Sequence, residues 1–145
     1  MDTPLGHLAI EAENGAVERV AFTDEELLPA TGETAQKAVK QLQQYFAGER
    51  QVFDVPVRLK GTAFQVAAWE ALMKIPYGET VTYQQQAQMM GHPKACRAAG
   101  GANNKNHILI LVPCHRVVAS NGMGGFGCGL DKKAFLLELE RKHKK

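Results

Sequence analysis

The sequence predicts an α+β fold, with a small N-terminal domain of sheet and helix followed by a helical C-terminal domain. Apolar residues alternate around an Asn-Gly turn near the start of the chain and recur with helical spacing over most of the remainder. Of the 145 residues, 45% are hydrophobic and 22% are charged, which is a globular composition. A chain of this length buries roughly two thirds of its unfolded surface, so general disorder is not expected.

The composition also argues against a membrane or disulfide-stapled protein. The longest unbroken apolar run, residues 108–113, is far shorter than the roughly 18 to 20 residues of a bilayer span. Met1–Pro4 does not begin a signal peptide. Cys96, Cys114 and Cys128 form an odd set without CxxC spacing, which favours reduced thiols. We expect a soluble, cytoplasmic protein, associated with the nucleoid if the source is prokaryotic.

The N-terminal domain is predicted over residues 1–55. Alternation over Leu5–Ala12 and Val17–Phe22, joined by Asn14-Gly15, predicts a β-hairpin. Apolar residues on one face of residues 35–46 then predict an amphipathic helix, with Thr34 as its cap and Gly48 as its stop. The periodicity is lost around Pro56, so residues 56–61 are predicted to be a linker and residues 62–145 the second domain.

Charge changes sign at this boundary. Residues 1–54 carry 4 Lys and Arg against 10 Asp and Glu, a balance of −6, and residues 55–145 carry 13 against 5, a balance of +8. An acidic domain joined to a basic one is typical of a protein whose basic part faces nucleic acid. An asymmetry without function is the equally weighted alternative.

The C-terminal domain is predicted to be helical. A strongly apolar helix begins near Thr62, and Pro76–Glu79 ends it as a turn. Short helices over 80–90 and 94–102, separated by Gly91-His92-Pro93, are a helix-turn-helix candidate. The second of these is almost all Ala and Gly apart from its two cations. Such a helix can approach another surface closely, although packing inside the protein is the commoner explanation.

A candidate nucleophile follows the apolar run 108–112, which is predicted to be a buried strand. Cys114 is flanked by His115 and Arg116, and cations of this kind stabilise a thiolate. Adjacent side chains on a strand point to opposite sides, so His115 is expected to reach the sulfur through a water molecule. An isolated Cys-His pair is more often structural than catalytic.

Residues 62–140 closely resemble the O6-alkylguanine-DNA alkyltransferases, single-turnover proteins that repair alkylated guanine. The resemblance rests on five segments in order: Ile75–Tyr83, Arg97–Ala102, Asn106, Pro113–Val117, and Gly129-Leu130 leading to Glu140. The N-terminal segment, including Thr3–Gly6, resembles that family's small ribonuclease-H-like domain more weakly. The implied fold is therefore a ribonuclease-H-like domain packed on a winged helix-turn-helix-like DNA-binding domain.

The resemblance implies a mechanism. Cys114 would attack the alkyl carbon on guanine O6 and keep the group as a thioether, His115 would take the thiol proton, and Glu140 would orient the imidazole. Asn106 would hold the active-site turn, and Tyr83 would hydrogen-bond the leaving guanine. The pocket would be lined by Val117, Leu109, Phe126 and Gly127. Glu140 as an exposed residue in the last helical turn, like Glu138, is the alternative.

The resemblance also implies the mode of DNA binding. Arg97 would fill the space left by a flipped base, and the small residues Ala98, Ala99 and Gly100 would let the helix approach the minor groove. Tyr83 would help to turn the nucleotide out. Lys94, with Lys105 and Lys132, would meet phosphates without sequence preference. We expect a monomer that binds double-stranded DNA, has no membrane partner and needs no cofactor.

Three features depart from the family pattern. Gln86 stands where an apolar residue is usual, so the first helix of the pair is expected to pack more loosely or to hydrogen-bond locally. His107 replaces a usual Pro, and the loop 122–129 is unusually rich in glycine. Some members bind zinc in the N-terminal domain, but this one has only His7 and no Cys there, so no metal is predicted.

Two other functions compete with alkyl transfer. A related group of alkyltransferase-like proteins binds the same lesions without catalysis, and these proteins have Trp in place of the cysteine. A Cys-His hydrolase would turn over acyl substrates and would not need Arg97. The central expectation is that Cys114 lies beside a cavity wide enough for a purine.

Overall fold

The chain divides into two compact units that do not follow the order of the sequence. The computed structural model describes residues 1–25, 31–126 and 129–144. The first unit contains residues 1–58 and 107–111, and the second contains residues 59–106 and 112–144. The chain thus passes between the units inside the predicted linker 56–61, and residues 107–111, which the sequence boundaries assign to the C-terminal domain, belong to the first unit.

In the first unit, the predicted hairpin is present and gains a third strand. Strands β1 (Asp2–Thr3), β2 (Gly6–Glu13) and β3 (Ala16–Thr23) form an antiparallel sheet in the order β1-β2-β3. The turn between β2 and β3 places Asn14 at φ 50° and Gly15 at φ 80°, the left-handed conformation that an Asn-Gly pair readily adopts.

Helix α1 (Glu33–Phe46) packs on this sheet. Its buried face includes Ala38, Leu42 and Tyr45, each 0% exposed, as the spacing predicts. The prediction of Thr34 as the cap is wrong, because Thr34 lies inside the helix and Gly32 is the capping residue, with no side-chain hydrogen bond.

The apolar run 108–112 is buried but is not a strand. Ile108 forms an isolated bridge with Val20, and the N–H of Leu111 donates to the carbonyl of Leu109 at 2.8 Å. Ile110, between these two, has φ 71°, which is rare and strained for a β-branched residue. The continuous strand predicted here is therefore wrong, because the chain turns sharply at Ile110.

The second unit contains three helices before the Cys-His segment. Helix α2 (Ala63–Leu72) begins with Thr62 as its cap, in a capping box with Gln65. The short strand β4 (Val81–Thr82) leads directly into α3 (Tyr83–Met89), which is capped in the same way by Thr82. Helix α4 (Cys96–Asn104) follows the turn 90–95 and packs on both α2 and α3.

The remainder of the second unit adds a strand beside β4 and a last helix. Strand β5 (Val117–Val118) pairs with β4 in parallel, and α5 (Leu130–His143) is the last helix. Over its described residues the protein is thus an α+β structure with two small sheets and five α-helices. None of the helices within that part is long and apolar enough to cross a bilayer.

Candidate active site and DNA-binding surface

Cys114 lies on a sharp turn rather than on a strand. Pro113 has φ −83° and ψ 67°, the values of an inverse γ-turn, and the N–H of Cys114 donates to the carbonyl of Val112 at 2.9 Å. Cys114–Arg116 then form one 3₁₀ turn that runs into β5. Consecutive side chains on such a turn do not alternate between two faces, so the expected strand geometry does not apply.

Asn106 holds the base of this turn. Its side-chain Nδ2 donates to the carbonyl of Val112 at 2.8 Å. Asn106 and Val112 are the two residues of the second unit that flank residues 107–111. The hydrogen bond therefore joins the ends of that segment immediately before Cys114.

His115 and Glu140 form a buried pair. The residues are 0% and 1% exposed, and Nε2 of His115 lies 2.5 Å from a carboxylate oxygen of Glu140. Burial lowers the pKa of His115, although its hydrogen bond with Glu140 acts in the opposite direction. A neutral ring that donates from Nε2 carries its lone pair on Nδ1. Nδ1 is buried and has no hydrogen-bond partner among the described residues, so it is available as a base.

Glu140 is fixed by three further donors. Arg116 donates from Nε at 2.8 Å and from Nη2 at 3.1 Å, and the backbone N–H of Gly78 donates at 3.0 Å. Burial alone would raise the pKa of Glu140, but the hydrogen bonds and charges of His115 and Arg116 hold that pKa far below its usual range. Glu140 is therefore an ionised, interior carboxylate, and the alternative of an exposed residue like Glu138 is wrong.

Arg116 joins this pair to the turn that follows α2. Its Nη1 donates to the carbonyl of Ile75 at 2.7 Å, and its guanidinium lies 5.7 Å from the ring centre of Tyr77. Together with the hydrogen bond from Gly78 to Glu140, these contacts connect the Ile75–Glu79 turn to the Cys-His segment and to Glu140. The turn thus helps to hold the His115–Glu140 pair in place.

A second buried cation, Lys133, lies near the nucleophile. Its side chain is 0% exposed, and Nζ donates to the carbonyls of Val117 at 2.5 Å and Gly125 at 3.0 Å. Burial lowers the pKa of Lys133, and attraction to Cys114 acts in the opposite direction. The same attraction favours a thiolate at Cys114, because an adjacent ammonium stabilises the charged sulfur.

Tyr83 contacts the glycine-rich loop. Its hydroxyl accepts a hydrogen bond from the N–H of Gly125 at 3.2 Å and lies 3.4 Å from the carbonyl of the same residue, to which it can donate. Tyr83 directly follows β4, and β5 directly follows Arg116. Because β4 and β5 are paired, these two points of the chain lie at neighbouring strands. The tyrosine and the nucleophile are thus held by the same small sheet.

The predicted pocket residues do not all fall in one place. Val117 is buried in β5, and Phe126 is half-buried at the end of the described part of the loop. Leu109 belongs to the first unit, where its N–H donates to the carbonyl of Val20 at 2.9 Å. Gly127 and Cys128 lie outside the described residues. The four-residue pocket therefore stays a prediction.

Cys114 itself is only 6% exposed. Two cavities are described, of about 1320 and 170 Å³, and both are lined by residues of the first unit. Cys114 is not among the residues that line either of these two cavities. Across the described ranges, no group of three or more His, Cys, Asp or Glu could hold a metal ion.

The exposed face of α4 carries the predicted DNA contacts. Arg97 and Ala98 are exposed, Gly100 is half-buried beneath the ring of Tyr83, and Lys94 is exposed in the preceding turn. Ala99 is 0% exposed and faces the interior. Its assignment to the DNA-facing surface is therefore corrected: its side chain packs in the core, since it lies about 100° around the helix from the exposed Ala98.

A family model described as the DNA-binding domain of 6-O-methylguanine DNA methyltransferase matches residues 63–142, which is more than half of the chain. The chain belongs to the 6-O-methylguanine DNA methyltransferase family. The matched region contains the Cys-His turn, Glu140, Lys133 and both helices of the helix-turn-helix pair. The family resemblance inferred from the sequence is thereby confirmed.

Similar proteins cover nearly the whole chain. A methylated-DNA–protein-cysteine methyltransferase of Mycolicibacterium paratuberculosis is 43% identical over 99% of this chain and 91% of its own. A constitutive enzyme of the same name from Bacillus subtilis is 43% identical over 97% and 92%. The crystal structure of Mycobacterium tuberculosis OGT in complex with DNA has a TM-score of 0.87 and 41% identity, over 99% of this chain and 91% of that one. The α+β fold is therefore shared with known alkyltransferases.

Sequence reasoning missed two side chains of this methyltransferase-family site. Arg116 was placed in the motif as a flanking cation, but its adjacency to His115 gives no sign that it binds Glu140. Lys133 was not singled out, because one lysine in a run of charged residues resembles a solvated face. The signal that could have found it is helical spacing: Lys133, Leu136 and Glu140 lie at i, i+3 and i+7, and all three are buried.

Proposed function

We propose that this protein repairs DNA by direct reversal, transferring an alkyl group irreversibly from guanine O6 to Cys114. The observation that carries the proposal is the buried His115–Glu140 pair, which leaves Nδ1 of His115 as a base one residue from the cysteine. The relatives named as methylated-DNA–protein-cysteine methyltransferases support the same activity. No cofactor is needed, because the sulfur itself accepts the group.

The reaction consists of a proton transfer followed by an alkyl transfer. His115 takes the proton of the Cys114 thiol through a bridging water, and the thiolate attacks the alkyl carbon. A carbon–sulfur bond forms as the bond from carbon to O6 breaks, and the electron pair stays on guanine, which is then protonated. Glu140 stabilises the imidazolium, and Lys133 favours the thiolate before attack. The thioether product has no easy hydrolytic exit, so each molecule acts once.

The side chains beside the nucleophile have supporting roles. Asn106 holds the turn through the carbonyl of Val112. Tyr83 hydrogen-bonds the departing guanine and helps to rotate the nucleotide, which requires it to release Gly125. The carbonyls of Cys114 and Val117 accept hydrogen bonds from the guanine amino group, and the side chains of Val117 and Phe126 line the pocket.

DNA is bound through the minor groove without marked sequence preference, by a monomer. Arg97 projects from the exposed face of α4 into the space that the flipped guanine leaves, which offsets part of an unstacking cost on the order of a few kcal/mol. Lys94 meets the phosphate backbone. The α3–α4 pair with the β4–β5 sheet supports a winged helix-turn-helix-like description, and the β1–β3 sheet with α1 supports a ribonuclease-H-like one. We place the protein in the cytoplasm.

The activity is tested by intact mass. The protein is mixed with a duplex containing O6-methylguanine, and one methyl group per molecule is expected, with no further gain at excess duplex. Cys114→Ala should abolish the gain, and the matched variant Cys96→Ala should keep it. Binding without any mass gain would favour the non-catalytic lesion-binding protein, and turnover of acyl esters would favour the hydrolase.

The flipping role is tested separately with Arg97→Ala. A free O6-benzylguanine base needs no flipping, so the variant should react with it at the wild-type rate and repair the duplex at least about tenfold more slowly. Arg141→Ala removes an exposed arginine of the same unit and serves as the control. Equal losses on the two substrates would show that Arg97 does not act by filling the space of the flipped guanine.

A further inference from the structure

Two buried amide side chains join the helices of the helix-turn-helix pair. Nε2 of Gln86 in α3 donates to Oδ1 of Asn103 in α4 at 2.8 Å, and Nδ2 of Asn103 donates to Oε1 of Gln86 at 2.8 Å. Gln86 also donates to the carbonyl of Ala68 in α2 at 3.3 Å. The residues are 0% and 8% exposed. One reciprocal pair therefore ties α4 to α3, and through Gln86 to α2.

This pair corrects the expectation for Gln86. The sequence suggests looser packing or local hydrogen bonds at this position, but the partner lies on another helix and Gln86 is completely buried. Each amide satisfies the other, and neither can be removed alone without leaving a buried polar group unsatisfied. If one amide is removed, α3 and α4 must separate enough to admit water, or shift until the remaining amide finds a new hydrogen-bond partner. The two residues therefore act as a unit.

The position of the pair decides which part of α4 it controls. A second buried bond, from Nε1 of Trp69 to the carbonyl of Ala102 at 2.9 Å, lies next to Asn103. Both contacts hold the C-terminal end of α4, whereas its N-terminal end has no side-chain cap. Arg97 lies six residues before Asn103, which is about 9 Å along the helix axis. A rotation of about 10° at the fixed end would move the backbone of Arg97 by about 1.5 Å.

We propose that the Gln86–Asn103 amide pair is a positioning device, which fixes the direction of α4 and thereby the placement of Arg97 against DNA. The pair touches neither the nucleophile nor its base, so it acts on the duplex reaction and not on the transfer step. A displacement of this size at a positioning group costs on the order of a hundredfold in rate in the most sensitive systems. The inference rests on the proposed function.

The test compares two substrates across a set of matched variants. Gln86→Leu, Asn103→Leu and the double variant are assayed with an O6-methylguanine duplex and with free O6-benzylguanine, at a temperature where circular dichroism shows each to be folded. The controls are Gln88→Leu and Asn104→Leu, the same residue types at exposed positions of α3 and α4. Gln86→Asn keeps an amide that is one methylene too short, and it replaces Gln86→Leu if that variant unfolds.

Each single variant should repair the duplex at least about tenfold more slowly while reacting with the free base at the wild-type rate. The double variant should recover much of the duplex rate, because no buried amide is left without a partner. Equal losses on both substrates, an unchanged duplex rate, or losses that simply add in the double variant would overturn the inference. Failure of the wild-type protein on both substrates would instead refute the proposed function.

Discussion

Replacing Glu140 with Gln changes one charge at the centre of the proposed active site. The carboxylate is 1% exposed and accepts hydrogen bonds from His115, from Arg116 twice, and from the backbone of Gly78. Gln has nearly the same shape, but it leaves the buried guanidinium of Arg116 without a counter-ion. Breaking one side of a buried pair costs about 3 to 5 kcal/mol. Because small proteins have a total stability of about 5 to 15 kcal/mol, the loss should be large.

The same change should slow the chemistry. Without the carboxylate, the imidazolium that forms at His115 as it takes the thiol proton is no longer stabilised. General-base catalysis contributes about a hundredfold to ten-thousandfold, so the rate of transfer from free O6-benzylguanine should fall by at least about a hundredfold in Glu140→Gln. This substrate isolates the transfer step, since it requires neither duplex binding nor base flipping.

Two measurements on two variants test this prediction. Urea unfolding gives the free energy of unfolding, and the rate with free O6-benzylguanine is measured under conditions where both proteins are folded. Glu138→Gln is the control, because Glu138 lies in the same helix but is exposed and contacts Arg141 at the surface. It should change neither quantity measurably. If Glu140→Gln behaved like this control, the buried pair would not be the base that activates Cys114.

Two other predictions follow from the same geometry. The pKa of Glu140 is lower in the folded protein than in the unfolded chain, so on acidification the unfolded chain takes up this proton first. Thermal unfolding at a series of pH values should therefore show that stability is retained above about pH 4.3 and falls below it. The fall should be smaller in Glu140→Gln. Gly124→Ala should slow duplex repair, because Gly124 has φ 73° and an added Cβ would lie 2.8 Å from the hydroxyl of Tyr83. Gly122→Ala, with nothing within 4 Å, should not, and equal rates for the two variants would argue against a tight contact between Tyr83 and the loop.

The local sequence pattern was sufficient to predict the elements whose contacts lie between residues close together in the chain. The Asn-Gly turn predicted the β2–β3 hairpin, and the spacing of apolar residues predicted α1 and α2. The apolar run before Cys114 and the cations beside it made the Cys-His pair a candidate, and the family resemblance then favoured a catalytic role. These signals are short-range, so they do not depend on how distant parts of the chain come together.

The remaining features depend on partners far away in the sequence. Ile110, with φ 71°, interrupts the predicted strand between Leu109, whose N–H donates to the carbonyl of Val20 in β3, and Leu111. Buried Gln86 has its hydrogen-bond partners, Asn103 and the carbonyl of Ala68, 17 and 18 residues away. Lys133 is buried because the carbonyls of Val117 and Gly125 accept its protons. Nothing within a few residues of these positions encodes such contacts.

The central claim is that one particular sulfur receives the alkyl group, and peptide mapping tests it most directly. The protein is allowed to react with an O6-methylguanine duplex and is then digested, and each cysteine-containing peptide is sequenced by tandem mass spectrometry. We expect a methyl thioether on Cys114 and unmodified Cys96 and Cys128. A methyl group on either of those cysteines, or an unmodified Cys114 after the duplex has been repaired, would contradict it.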